Sequence, residues 1–402
     1  MTATSPRSAS TPPVGVDRGL VDSSPLPAMD VAGRLDRLRT RLLEIPAETS
    51  AATSATPPGA ILITRMVNIR YLTGFTGSAG LLLVLHEEAL LVTDGRYRDQ
   101  SALEIAASGA DVRVEIGLTG GAQKETLQSA AEGLEGLALE AGDVTWAQQR
   151  RFASDWFDGI ELVATEALVE KLRQVKDPGE VARMAEAARI ADTALASVRH
   201  RLAEEVTERE FALELDFAMR RGGAEGCSFE TIVASGPNGA KPHARPGDRR
   251  IAPGELVVID FGALVDGYCS DMTRTLCVGP PASATAARMV EVVAEAQRAG
   301  VAKVRAGATT KEVDEACRSI IAEAGWADAF LHGTGHGVGL EIHEDPRVAA
   351  SSEAVLATGQ VVTVEPGVYL SDIGGVRIED TVVVTDDGCR ILTNAPKELV
   401  IA

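Results

Sequence analysis

From Asp30 onward, Val31, Leu35, Leu38 and Leu42 recur at steps of three and four residues, a spacing that lays one apolar stripe along a helix. After a loop rich in Pro, Ala and Thr come short, continuous apolar runs separated by turn residues: Ala60 to Ile63, Leu81 to Leu85 and Ala89 to Val92. These predict strands. Helical stretches and further strands alternate to about Val163, so the pattern predicts a first α/β domain over residues 30–170. Lys176-Asp177-Pro178-Gly179-Glu180 then predicts a helix start, with Asp177 as N-cap and Pro178 at the first helical position. Two long Ala-rich helical patterns follow, to about Arg221. Beyond them the chain is strand-rich, apart from a helical interlude from about Ala282 to Ala324 that breaks near Ala306-Gly307. Residues 171–402 therefore predict a second domain of α+β type.

One repeat stands out in that second domain. Val257-Val258-Ile259-Asp260-Phe261-Gly262 resembles Val362-Thr363-Val364-Glu365-Pro366-Gly367: an apolar strand, a carboxylate, one residue, then Gly. Asp271 follows Asp260 by 11 residues and Glu379 follows Glu365 by 14, each in another strand-like run. The domain thus reads as two strand-pair units, each presenting two carboxylates.

Composition narrows the picture. A chain of 402 residues is too long for one ordinary core, which agrees with two domains. With 45% hydrophobic and 24% charged residues it has a soluble globular profile, and with 4% aromatics its cores must be mainly aliphatic. A net charge of −19 disfavours nucleic-acid and anionic-membrane partners. Five cysteines, an odd number without CxxC spacing, predict reduced thiols and a cytoplasmic protein. No apolar run approaches the roughly 20 residues that span a bilayer. Residues 1–29, rich in Ser, Thr and Pro and without the apolar core of a signal peptide, predict a disordered tail. Met29, directly before the first helical pattern, is a second candidate for the start of translation.

The carboxylates carry the chemistry. Asp260 and Glu365 end apolar strands with no Lys or Arg close by in sequence, and a buried ionised carboxylate is costly unless paired or bound to metal. Four such groups brought together would repel one another unless cations sit among them, and in formal charge they balance two divalent ions. Oxygen-rich ligation suits manganese, and one imidazole admits cobalt, zinc or iron. That imidazole is sought in Leu331-His332-Gly333-Thr334-Gly335-His336-Gly337-Val338-Gly339-Leu340-Glu341-Ile342-His343-Glu344, which holds three of the six histidines. Its glycines at 333, 335, 337 and 339 would let backbone approach a site closely. A fourth, His243, lies in Asn238-Gly239-Ala240-Lys241-Pro242-His243-Ala244, while His86 and His200 read as ordinary surface positions.

Taken together, the set DFG-x8-D, HGTGHGVGLEIHE, TVEPG, GGVRIED and NGAKPHA resembles the pita-bread metallopeptidases: creatinase, prolidase and aminopeptidase P, and among them most the short bacterial Xaa-Pro peptidases. Asn68-Ile69-Arg70-Tyr71-Leu72-Thr73-Gly74-Phe75 and Thr93-Asp94-Gly95-Arg96-Tyr97 are similar to the N-terminal domain of prolidase, aminopeptidase P and creatinase, which methionine aminopeptidases generally lack. The resemblance implies two divalent metals. Asp260 would bind one of them, Asp271 and Glu379 would bridge both, and His336 and Glu365 would complete the second. It implies hydrolysis of the bond before proline, with Glu365 as general acid/base, His243 and His343 as oxyanion donors and His332 in the substrate pocket. For these histidines the alternative is to hold the ligands in place. Arg377, two residues before Glu379 and so on the same strand face, is expected to orient carboxylates at the substrate pocket, with an ordinary surface arginine as the alternative. Arg347 is a candidate for the terminal carboxylate of a dipeptide, or a solvated loop arginine. Short proline-containing peptides and a second copy of the chain are the implied partners. The alternatives are a methionine-aminopeptidase-like enzyme and a non-catalytic binding protein on the same fold.

Overall fold

Ile61 and Ile63 of the first strand are buried in one apolar core and Ala60 and Leu62 in another, so the strand is covered on both faces. That is why it reads as an unbroken apolar run rather than an alternation. The structure, a computed structural model, describes residues 25–45 and 58–401. Its first unit comprises α1 (Arg34–Leu43), β1 (Ala60–Ile63), α2 (Met66–Thr73), β2 (Leu81–Leu85), β3 (Ala89–Thr93), α3 (Arg98–Ser108), β4 (Arg113–Ile116), α4 (Gly120–Ala130), β5 (Gly136–Glu140), α5 (Trp146–Arg151), β6 (Glu161–Thr165) and α6 (Leu168–Arg173). The strands form one mixed sheet in the order β4-β3-β2-β1-β5-β6. The predicted stripe of α1 packs Leu35, Leu38 and Leu42 onto one face of it. The boundary expected between residues 170 and 171 falls inside α6, which packs on the first core through Val169, so that unit runs on through Arg173.

Asp177 then caps α7 (Pro178–Val198) in a capping box with Glu180, which satisfies two otherwise free backbone N–H groups. α8 (Glu208–Arg221) opens with the same device, built from Thr207 and Glu210. The strands β7 (Gly226–Cys227), β8 (Ile232–Ser235), β9 (Leu256–Phe261), β10 (Ala263–Val265), β11 (Tyr268–Cys269) and β12 (Met272–Val278) follow. Next come α9 (Ala284–Lys303) and α10 (Thr310–Glu323), with the expected break between them. The chain finishes with β13 (Gly335–Gly337), β14 (Glu344–Val348), β15 (Val361–Val364), β16 (Gly367–Leu370), β17 (Gly374–Arg377), β18 (Asp380–Val384), β19 (Cys389–Ile391) and β20 (Val400–Ile401).

The two repeat units are plain in the packing. α7 and α8 cover the sheet β20-β12-β9-β8, and α9 and α10 cover β14-β13-β15-β18-β19. Asp260 lies in β9 and Glu365 directly follows β15, as the pattern predicted. Asp271 and Glu379 differ from expectation. Instead of lying within strands, each sits in the two-residue break between β11 and β12 or between β17 and β18. At both breaks the chain leaves one sheet for another, so each carboxylate stands at a seam.

The units are tied together by charge. Arg173 Nη2 lies 2.8 Å from Glu341 Oε2 and 2.5 Å from Glu344 Oε1, and Lys176 Nζ lies 3.0 Å from Glu344 Oε2. Arg65 pairs with both Glu170 and Glu341. Buried Arg34 likewise reaches Asp177 and Glu180 across the same boundary. Of the stretch assigned to a disordered tail, residues 1–24 lie outside the described residues. Residues 25–29 instead run along α7: Arg183 Nη1 donates to the Pro27 carbonyl at 2.8 Å, and Met29 packs into a core with Val181 and Met184.

Candidate metal centre

All ten residues singled out in the sequence line one cavity of about 760 Å³: His243, Asp260, Asp271, His332, His336, His343, Arg347, Glu365, Arg377 and Glu379. Within it, Asp271, His336 and Glu379 each offer a ligand atom, and these atoms lie within 4.8 Å of one another. Asp271 and Glu379 are almost fully buried. His336 Nε2 stands 3.6 Å from Asp271 Oδ2 and 3.3 Å from Glu365 Oε1. Its Nδ1 is 3.0 Å from the Gly337 carbonyl, which can only accept. The proton therefore belongs on Nδ1, leaving the Nε2 lone pair aimed at the carboxylates.

Asp260 stands apart from that trio. Its Oδ2 accepts from Arg377 Nη2 at 2.5 Å, and its buried Oδ1 has no hydrogen-bond partner. The Arg377 guanidinium is buried and fans out: Nε donates to Thr273 Oγ1 at 3.0 Å, and Nη1 donates to the Tyr369 hydroxyl at 2.8 Å and to the Pro242 carbonyl at 3.3 Å. Thr273 Oγ1 in turn donates to Glu379 Oε2 at 2.7 Å. In the second unit Thr363 Oγ1 lies 3.2 Å from Glu365 Oε1 and accepts the His336 backbone N–H at 3.0 Å. Arg377 thus touches Asp260 directly and Glu379 through a threonine.

Electrostatics show what the cluster lacks. Burial, then repulsion from Glu379, Asp260 and Glu365, holds the Asp271 carboxyl far above the usual carboxylate range. Burial followed by Glu365 and Asp260 does the same to Glu379. Burial also raises Glu365, which Arg377 opposes and Asp260 reinforces. One guanidinium is too little positive charge for four carboxylates. An orphaned Asp260 oxygen, a free imidazole lone pair and carboxylates short of cations together fit divalent metal ions.

Gly333 and Gly335 of the glycine-rich segment line the cavity, and the segment also packs tightly on its neighbours. A Cβ on Gly335 would lie 2.1 Å from the Thr363 carbonyl oxygen, so glycine is what lets β13 lie tightly against the neighbouring backbone. His343 stacks edge-on against His336, with ring centroids 4.5 Å apart. His332 Nδ1 donates to the Gly333 carbonyl and Nε2 accepts from the Tyr369 hydroxyl, both at 2.8 Å. Tyr369 and Thr273 were missed in the sequence. The only signal for Thr273 was its place two residues past Asp271.

An α/β domain joined to a doubled sheet-and-helix unit, with carboxylates and an imidazole converging where the sheets meet, defines a two-domain metal-dependent peptidase. The chain belongs to metallopeptidase family M24: that family's model matches residues 182–386, and the creatinase/prolidase N-terminal domain model matches residues 56–175. It is 42% identical over 343 residues to the uncharacterised peptidase YqhT of Bacillus subtilis, covering 85% of this chain and 95% of the relative. Among solved structures it superposes on a Xaa-Pro dipeptidase from Bacillus anthracis with a TM-score of 0.84 at 39% identity, covering 92% of this chain and 99% of that one. An X-Pro aminopeptidase from Thermotoga maritima gives a TM-score of 0.80 at 35% identity, covering 86% and 98%.

Proposed function

We propose that the protein is a dinuclear-metal Xaa-Pro peptidase that hydrolyses the bond between an N-terminal residue and proline. The observation that carries this is the convergence of all ten predicted residues on one cavity, in a chain whose solved neighbours are a Xaa-Pro dipeptidase and an X-Pro aminopeptidase. Asp260, Asp271 and Glu379 would hold one ion, and Asp271, Glu379, His336 and Glu365 the other. The oxygen-rich donor set favours manganese, with cobalt, zinc or iron as alternatives. Bound there, the ions would supply Lewis acidity that makes hydroxide available near neutral pH and polarises the scissile carbonyl.

The chain's own groups do the rest. Glu365, held by Thr363, serves as the proton carrier towards the prolyl nitrogen. His243 and His343 face the same cavity as donors to the tetrahedral oxyanion. His332, fixed by Tyr369 and Gly333, forms part of the substrate wall. Arg347 has no ion-pair partner among the described residues and is suited to a peptide carboxylate.

The N-terminal domain argues against a methionine-aminopeptidase-like enzyme. Intact donor residues argue against a binding protein without catalysis. A homodimer built through the N-terminal domain and a cytoplasmic setting complete the reading. The five cysteines, all free, support that setting, and no described helix is long and apolar enough to cross a membrane. The test is to strip the protein with chelator, restore manganese, count bound ions and time cleavage of Xaa-Pro, Xaa-Pro-Yaa and Met-Ala-Yaa. Cleavage of proline peptides with two ions bound per chain is expected. Cleavage of Met-Ala-Yaa alone would overturn the proline assignment.

A further inference from the structure

Glu208, the first residue of α8, is fully buried and does not line the cavity, yet its carboxylate gathers five hydrogen bonds from one loop. Oε1 accepts from the Ser235 backbone N–H and hydroxyl, both at 2.8 Å, and from Asn238 Nδ2 at 3.2 Å. Oε2 accepts from Asn238 Nδ2 at 3.1 Å and from the Gly247 backbone N–H at 3.1 Å. Ser235 and Gly247 are the two ends of the segment that carries His243 at its exposed tip. One carboxylate therefore closes that loop at both ends, and the Arg209 backbone N–H adds a bond to the Gly247 carbonyl at 3.0 Å.

The loop is held from the other side too. Its first turn, Gly236–Ala240, lies so close on β17 that a Cβ on Gly375 would sit 1.9 Å from the Gly239 carbonyl oxygen. Arg377, which bonds Asp260, also donates to the carbonyl of Pro242, the residue before His243. Clipped by Glu208 and seated on β17, the backbone around His243 has little room to move. Glu208, Ser235, Asn238 and Gly247 themselves do not line the cavity where substrate would bind.

We propose that Glu208 is the positioning residue for His243: its buried carboxylate sets the loop geometry on which the imidazole's work in the reaction depends. The inference rests on the Xaa-Pro reading above. A carboxylate offers only acceptors here. Glu208→Gln keeps the shape but turns one oxygen into an N–H₂ group, which would face a backbone or side-chain donor and leave it unpaired. Small displacements of a reacting group can cost about 100-fold in rate.

The experiment uses the full-length, manganese-loaded protein. Wild type, Glu208→Gln, His243→Ala, the double variant and Asn238→Ala are compared by kcat and KM on a Xaa-Pro peptide, by bound metal, and by hydrogen exchange over residues 235–247. Glu208→Gln is expected to lower kcat by about 10- to 100-fold with metal content unchanged. Exchange should rise in the loop and not in the α9–α10 half, and the double variant should be no worse than His243→Ala. Asn238→Ala, which leaves the carboxylate in place, should show the same pattern more weakly and covers the case in which Glu208→Gln does not fold. Additive losses in the double variant, or full kcat with a loosened loop, would overturn the positioning role. A wild-type protein inert towards every proline peptide would overturn the reaction assignment itself and shows before any substitution is made.

Discussion

Arg377 binds one oxygen of Asp260 at 2.5 Å and leaves the other, buried, without a partner. The same guanidinium reaches Glu379 through Thr273, so one cation steadies carboxylates from both repeat units. Arg377→Met should cut kcat/KM by about 100-fold or more and destabilise the fold by about 3–5 kcal/mol, because it strands a buried charge. Arg377→Lys should not rescue it, since an ammonium cannot reach Asp260, Thr273 and Tyr369 together. Near-wild-type kinetics in the lysine variant would refute this account.

Four carboxylates with too few cations should make stability depend on metal. Chelation should lower the melting temperature, and manganese at about 100 times its Kd should restore about 2.7 kcal/mol. Asp271→Asn should lose that manganese-dependent gain. Calorimetry with and without chelator reads this directly, and identical melting in both conditions would count against metal binding at this site.

His332 titrates against the fold. Burial pushes its imidazole down to about 4 from 6.5, and its Nε2 must stay unprotonated to accept from Tyr369. Unfolded chains take up that proton below pH 6.5 while the folded protein refuses it until about 4, so stability falls as pH drops through this window. Between pH 7 and 4.5 the loss should be about 2–3 kcal/mol. The raised carboxylates contribute with the opposite sign. Urea unfolding of chelated wild type minus that of His332→Gln therefore isolates the imidazole. A flat difference would refute the prediction.

Arg173 and Glu344 form a nearly dry pair between the two units. Removing either charge alone should cost about 3–5 kcal/mol, and the double change less than the sum. Because Glu344 follows His343 directly, Arg173→Met should also reduce kcat. Additive stability losses would show that the pair is not coupled.

Arg347→Ala should raise KM for a Xaa-Pro dipeptide by about 10-fold or more and leave a longer Xaa-Pro peptide nearly unchanged, if its guanidinium takes the dipeptide's carboxylate. Equal effects on both substrates would assign Arg347 elsewhere.

Asp260 and Glu365 were legible because they come at the ends of apolar strands, where an unpaired carboxylate conflicts with its surroundings and so stands out. The breaks that hold Asp271 and Glu379 were not legible. Strand-like residues flank them, and only the pairing of those strands into different sheets shows the interruption. Glu208 was hidden for another reason: as a helix-starting carboxylate it looks like ordinary surface, and its partners lie 27 to 39 residues away. The Arg173–Glu344 pair, 171 residues apart, leaves no local pattern at all.

The ties between the two units also bear on how the first unit is held. Residues 27–30 strap onto α7, Arg34 holds Asp177, and Arg65, Arg173 and Lys176 grip the 341–344 loop, so the boundary is fastened at several points. Separating the two units would break buried ion pairs. The first unit is therefore carried as a fixed wall beside the 341–344 loop rather than as a loose appendage.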